Sequence, residues 1–569
     1  MDWHQVDIDP ALGNGWTGYT WDRTLFADPA GFLADLHSRD LHVTLNVHPA
    51  DGVRRHEDAY ADVARDLGLD PETGLEIAFD ISSAEFTEAY LSRLHHPHER
   101  IGVDFWWLDW QSGTNTRVPG LDPLWMLNHV HYQDSARRGR RPLILSRYAG
   151  LGSHRYPVGF SGDTISTWGS LDFQPYFTAT AANVGYFWWS HDIGGHLGGS
   201  KDNELATRWY QLGALSPINR LHSSSSDFSS KEPWRFGPEA ERIMIRFLRL
   251  RHQLVPYLYS AMWVSHTDAV APVRPMYHDH PSEPAAYSVP NQYLLGPDLL
   301  VAPITTPRDH RTHLGQVTAW LPEGTWFDLF SGRRYDGGRR LTLHRTLAEL
   351  PVLARAGAVL PLAADPLADV AANPEALVLL VIPGADGGCT LLEDDGRGGA
   401  TVADRQQTAI TFTWSPRSTG SGGADTEADA VLTLAPPTGP GVATVRTLTL
   451  ELVGVDSVRR VVVVTGERAQ AAHLDPDDGT GRREVELGTL DLSAGVQVRL
   501  EGVRLVPPDV GAAAFALLDE AEIGYDLKAQ VMEMVGALSG RALLSALHTL
   551  ELPGNLYGAL LEIVSATAG

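Results

Sequence analysis

The sequence predicts an α/β section, then all-β modules, then a short helical tail. Short apolar runs alternate with helical patterns over residues 1–265, and after about residue 266 short strands with Gly/Pro turns take over. Beyond about residue 509 apolar residues recur at helical spacing. Apolar strands separated by helices imply a parallel β/α arrangement. The boundaries read 1–265, 266–365, 366–508 and 509–569.

In the first section Leu41 to Val47 reads as a strand after a helix carrying Phe32, Leu33 and Leu36. Val103 to Leu108, Pro142 to Ser146 and Tyr186 to Trp189 are further strand candidates. Each run ends in polar residues: Asn46 and His48, Asp109 and Gln111, Arg147, then His191 and Asp192. A β/α barrel builds its active site at the C-terminal ends of its strands, so this succession points to a site. In the second section Tyr293 to Pro303 and Val317 to Leu321 read as short strands, the latter closed by Pro322-Glu323-Gly324. Arg446 to Leu452 and Val496 to Leu500 alternate with period two, suggesting two β-sandwich modules. Ser415 to Asp425 reads as a flexible loop. In the tail, Leu527, Val531, Met534, Val535 and Leu538 form an apolar stripe with Asp526 placed as its cap.

The chain has 569 residues, with 45 Lys and Arg against 70 Asp and Glu, a formal charge of −25. That charge argues against nucleic acid or an anionic membrane as partner. No apolar stretch is long enough to span a bilayer. Met1-Asp2-Trp3-His4 has neither the basic nor the apolar region of a signal peptide, so a cytoplasmic location is expected. Cys389 is the single cysteine, which excludes internal disulfides and cysteine metal clusters. Many of the 16 tryptophans fall before residue 240, where they serve as core or as flat faces for sugar rings.

Glycoside hydrolysis needs two carboxyl groups, about 5–5.5 Å apart in a retaining enzyme. One attacks as the anion; the other carries a proton to the leaving oxygen. Asp109 follows a tryptophan-rich run, and Asp163 closes the glycine-bearing loop Gly159-Phe160-Ser161-Gly162-Asp163, 54 residues further on. Spacing alone does not select these two, because an aspartate after a strand is more often a turn or helix cap.

The motifs select them. Phe105-Trp106-Trp107-Leu108-Asp109-Trp110-Gln111 resembles the nucleophile motif of glycoside hydrolase family 31. Ser146-Arg147, Gly152 to Pro157 and Phe160-Ser161-Gly162-Asp163 resemble its acid/base region. His191-Asp192-Ile193-Gly194-Gly195-His196, Arg208 to Gly213, Pro217 and Arg220-Leu221-His222 continue the likeness. Gly296 to Pro303 and Leu353 to Pro361 are similar to the module after the barrel. The resemblance implies an α-glucosidase-like retaining hydrolase of terminal α-linked sugars, with Asp109 as nucleophile and Asp163 as acid/base. It further implies that Arg147, Asp192 and His222 bind sugar hydroxyls and that Trp107 and Phe160 line the wall. A structural ion pair is the competing reading of Arg147 and Asp192, and Trp188 and Trp189 divide between core and pocket. The two carboxyl groups do the chemistry, so no cofactor and no metal is implied.

Two departures qualify the likeness. Many family members continue the nucleophile motif as Asp-Met-Asn-Glu; this chain reads Asp109-Trp110-Gln111-Ser112, and the segment from nucleophile to acid is short. Relatives with these traits include enzymes for α-linked N-acetylgalactosamine, which makes a non-glucose sugar the alternative. Met1-Asp2-Trp3-His4 also resembles the end of the second barrel strand, with Asp2 as the second residue of an Asp-X-Asp motif. The expectation is therefore an incomplete (β/α)8 barrel followed by two β-sandwich modules. Competing readings are a non-catalytic carbohydrate-binding relic, a transglycosidase, and a metal hydrolase using His42, His48 and His56, whose spacing suits no common ligand motif.

Overall fold

The computed structural model describes residues 3–4, 18–109, 112–113, 116–139, 141–367, 372–396, 401–417, 427–441, 443–475 and 481–567. The chain divides into two compact units, the first mainly residues 1–162 with 188–190, the second mainly 163–187 with 191–396 and 400–569.

The parallel arrangement expected for the first section is present. Strands β1 (Thr44–Val47), β2 (Phe105–Leu108), β3 (Ile144–Arg147), β4 (Gly159–Ser161) and β5 (Trp189–His191) form one sheet in chain order. The first three pairings are parallel, with Asn46 opposite Trp107, Leu108 opposite Ser146, and Arg147 opposite Phe160. Helices intervene, as such connections require. Helix Pro29–His37 starts on Asp28, whose side chain accepts from Gly31 N, and Pro123–Ser135 starts the same way on Asp122. The first unit's core gathers Leu45, Leu108, Tyr90, Trp3, Trp21 and Trp106.

Two expectations shift here. β4 occupies part of what reads as a glycine-bearing loop. The fourth predicted strand begins only at Trp189, because Tyr186 N bonds Ala181 O and Phe187 N bonds Gly185 O, closing a turn over Tyr186 and Phe187. Of the described tryptophans before residue 240, Trp3, Trp21, Trp106, Trp189 and Trp209 are buried, Trp107, Trp125, Trp168 and Trp188 are half-buried, and Trp234 is exposed.

In the second unit, six short antiparallel strands between Val273 and Arg355 form one sheet, and Gly315–Leu321 pairs with Arg339–Arg345. Beyond it, a four-stranded and a six-stranded sheet enclose Leu379, Phe412, Leu432, Leu450 and Val498. Strand Gln406–Pro416 buries every second residue over most of its length, as its sequence period demands. Of the predicted loop at Ser415 to Asp425, residues 418–425 lie outside the described residues.

Four helices follow, Val510–Glu520, Tyr525–Ala537, Gly540–His548 and Leu556–Ser565, packed around Leu518, Val531, Leu543, Leu547 and Leu560. The predicted stripe faces this core through Val531, with Leu527, Met534 and Val535 partly buried and Leu538 exposed. Asp526 is not the cap. The helix begins one residue before it, Gly524 holds the N-cap position without a side-chain bond, and Asp526 lies in the first turn. Glu562, on the last helix, is buried against the sheets: Arg345 and Tyr335 bond one oxygen, and His344 the other. No helix among the described residues is long and apolar enough to cross a membrane.

Candidate active site

In the first unit the site is built on strand ends. Asp109 follows β2 directly, and its backbone N bonds Val47 O. One carboxylate oxygen lies 3.2 Å from His48 Nε2, and the other pairs with the Arg147 guanidinium at the end of β3. Asp109 is buried, which alone would raise its pKa. The His48 hydrogen bond and the Arg147 charge outweigh burial and hold it at about 2. Asp109 is therefore an anion at neutral pH, and His48 Nε2 donates to it.

Arg147 is itself held. Its guanidinium carbon sits 4.9 Å from the Phe160 ring centroid, a cation–π contact, and Phe160 meets Trp107 edge to face at 6.0 Å. Gly162 permits this packing, since a Cβ there would lie 2.5 Å from the Phe160 ring and 3.0 Å from the guanidinium. Trp110 and Gln111 of the motif lie outside the described residues, as do Met1 and Asp2.

In the second unit a second polar cluster centres on Asp192. One of its oxygens pairs with Arg220 and lies 3.0 Å from His222 Nδ1; the other accepts from Thr164 N at 3.1 Å. Asp192 is fully buried, yet these partners hold its carboxyl well below the usual range. Asp163, with 42% of its side chain exposed, has His196 Nδ1 3.0 Å from its Oδ1. Its φ of +61° is the left-handed conformation that aspartate adopts only sparingly.

The helix Asn203–Ala214 supports this cluster. Trp209 Nε1 donates to His191 Nδ1 at 3.2 Å, leaving the Nε2 proton of His191 for Ser216 Oγ at 2.9 Å. Buried Arg208 bonds the backbone carbonyls of Glu349 and Thr346, and Gln211 bonds that of Leu347 at 2.7 Å. A Cβ on Gly213 would meet Ile193 Cδ1 at 2.3 Å. The Arg208 to Gly213 motif is thus scaffold beneath Asp192. His191 belongs to the same scaffold, burial lowering its pKa to about 4.

Arg147 and Asp192 both sit in ion pairs, but with Asp109 and Arg220 respectively. Sequence reasoning placed His48 at a strand end and in the metal reading but not beside Asp109, and it gave Arg220 and His196, both inside quoted motifs, no role of their own. The metal reading of His42, His48 and His56 fails among the described residues. Each faces its own carboxylate: Asp104 at 3.3 Å, Asp109 at 3.2 Å and Glu57 at 3.5 Å. Asp192, His196 and His222 do offer ligand atoms within 4.8 Å of one another. Arg220 already pairs with Asp192, and Lys231 adds positive charge toward it, so the set suits hydrogen bonding to neutral hydroxyls better than a cation.

Comparison with known proteins identifies the family of the chain. Residues 1–261 match the glycosyl hydrolases family 31 TIM-barrel domain, and residues 269–360 the family's C-terminal domain. The chain is 26% identical over 408 residues to the alpha-xylosidase of Saccharolobus solfataricus, covering 67% of this chain and 54% of that protein. It is 26% identical over 391 residues to alpha-glucosidase 2 of Bacillus thermoamyloliquefaciens, covering 63% and 49%. The chain spans about half the length of these curated relatives. A family 31 dextranase of Flavobacterium johnsoniae superposes with a TM-score of 0.70 at 20% identity, over 86% of this chain and 65% of that one. The alpha-xylosidase of Xanthomonas citri gives 0.65 at 24% identity, over 79% and 52%. Both structural likenesses show a shared fold.

Proposed function

Because the chain belongs to glycosyl hydrolase family 31, we propose that it serves a retaining hydrolase of terminal α-linked sugars, with Asp109 as nucleophile and Asp163 as general acid/base. The observation that carries the reading is Asp109 itself: a buried carboxylate at a strand end, kept ionised between His48 and Arg147. In the first step Asp109 attacks the anomeric carbon while the glycosidic C–O bond breaks, and Asp163 gives its proton to the departing oxygen. In the second, Asp163 takes a proton from water, whose oxygen attacks the anomeric carbon and frees Asp109. Arg147, Asp192 and His222 hold sugar hydroxyls in this reading, Arg147 while also stabilising the nucleophile. Trp107 and Phe160 line the wall.

The relatives' names favour α-glucose or α-xylose. The tryptophan-rich motif around Asp109 and the short segment from Asp109 to Asp163 favour a second reading, a different sugar such as α-N-acetylgalactosamine. A cytoplasmic location, no nucleic-acid partner and the module division at residues 265, 365 and 508 belong to the same proposal. Hydrolysis of a panel of p-nitrophenyl α-glycosides tests it, with Asp109→Ala and Asp163→Ala as controls. Release that Asp109→Ala abolishes supports the reading, and the best substrate names the sugar. No release on any α-sugar leaves the binding relic as the better account.

A further inference from the structure

The second unit holds a histidine that the two-carboxylate scheme does not use. The loops around it are locked together. His196 N donates to Thr164 O at 2.6 Å, Ile165 and Leu197 form a parallel bridge, and Ser166 Oγ bonds Gly194 O at 3.0 Å. Gly195, at φ +80°, makes this possible: a Cβ there would lie 2.4 Å from Ser166 Oγ and 2.6 Å from Ser166 Cα. The segment after Asp163 and the segment after Asp192 are therefore tied to each other by backbone and side-chain bonds. The same lock sustains the left-handed backbone of Asp163, a conformation that persists only where its surroundings over-determine it. Its consequence is that His196 Nδ1 stands 3.0 Å from Asp163 Oδ1, while the His196 ring lies edge-on to His222 with centroids 4.1 Å apart.

We propose that His196 is a positioning residue for Asp163: it fixes the carboxyl group that the reaction protonates and deprotonates, and links it to the Asp192–His222 cluster. The inference rests on the assignment of Asp163 as acid/base. From this 3.0 Å contact a small turn of the ring lets Nδ1 accept the O–H of the protonated carboxylic acid and, in the other tautomer, donate N–H to the carboxylate, so one ring serves both states. The groups around it are Asp163, His222 and Asp192, with Arg220 on Asp192 and Lys231 beyond. Burial and the neighbouring His222 lower the His196 pKa, which favours the neutral ring this role requires. A fixed positive charge at 3.0 Å would instead keep Asp163 ionised.

Two substitutions separate position from packing. His196→Phe keeps a ring against His222 and removes the nitrogen; His196→Asn restores a polar group near Nδ1. kcat/KM is read on an alkyl or sugar α-glycoside, which needs the acid, and on a dinitrophenyl α-glycoside, which does not. General acid catalysis contributes roughly 10²–10⁴-fold. We expect His196→Phe to lose about 10²-fold or more on the first substrate and less than about threefold on the second, with His196→Asn recovering much of the loss. Equal losses on both substrates, or none, overturn the positioning role. If Asp163→Ala itself shows no dependence on the leaving group, the acid/base assignment falls and the positioning role with it. A readout independent of turnover is the ¹⁵N spectrum of the His196 ring, which should change in Asp163→Asn; an unchanged spectrum also overturns the proposal.

Discussion

His48 Nε2 lies 3.2 Å from Asp109 Oδ2, while Arg147 pairs with the opposite oxygen of the same carboxylate. Burial pushes the Asp109 pKa up, and these two partners bring it down to about 2. Removing either leaves burial less opposed. Arg147→Met and His48→Phe are both expected to move the acidic limb of the kcat/KM profile upward, by about 1–3 pH units for loss of the adjacent charge. The wild-type limb should owe nothing to Asp109 above about pH 4, because a carboxyl with a pKa near 2 is ionised there. A limb that stays fixed in both variants contradicts the role of these partners.

Glu562 gives a prediction about stability. Arg345, His344, Arg333 and Tyr335 overcome the burial that would raise its pKa and hold it at about 2. A carboxyl depressed on folding stabilises the protein above its unfolded pKa, and that contribution is lost as pH falls from about 4.5 toward 2. Glu562→Ala leaves the buried Arg345 with Asp328, at 2.8 Å, as its remaining ion-pair partner and should cost about 3–5 kcal/mol at neutral pH. Urea denaturation at pH 7 and pH 3 checks both parts, and the variant's deficit should shrink at the lower pH.

The contact between Gly213 and Ile193 tests the scaffold beneath Asp192. Gly213→Ala forces a methyl group to within 2.3 Å of Ile193 Cδ1 and should cost about 1–3 kcal/mol. Ile193→Val removes that Cδ1, so the double variant should be more stable than the sum of the single effects predicts. Thermal melts of the three proteins supply the comparison, and strict additivity contradicts the proposed contact.

Much of the fold was legible because its periods are plain. Apolar runs mark β1 to β3, and period-two alternation marks Arg446 to Leu452 and Val496 to Leu500, which lie in strands Val445–Val453 and Val496–Leu505, since burial on two faces or on one leaves different residue patterns. The Asp109 end of the site was readable from position after a strand and from its motif. What escaped were relations between distant residues. Nothing in the run ending at His48 announces that its ring meets a carboxylate 61 residues later. Trp209 and Arg208 sit in a motif that carries the family likeness without a stated role, and only their hydrogen bonds to His191 and to residues 346–349 show that they are scaffold. Asp526 failed as a cap because helix starts are fixed by backbone geometry to within a residue or two, finer than apolar spacing resolves.

The most direct test of the central claim is to trap the covalent intermediate with a 5-fluoro-α-glycosyl fluoride of the preferred sugar and locate the label by peptide mass spectrometry. The account predicts one added glycosyl group, carried on Asp109 and absent in Asp109→Ala. A label on another carboxylate, or turnover with inversion of the anomeric configuration, would contradict it.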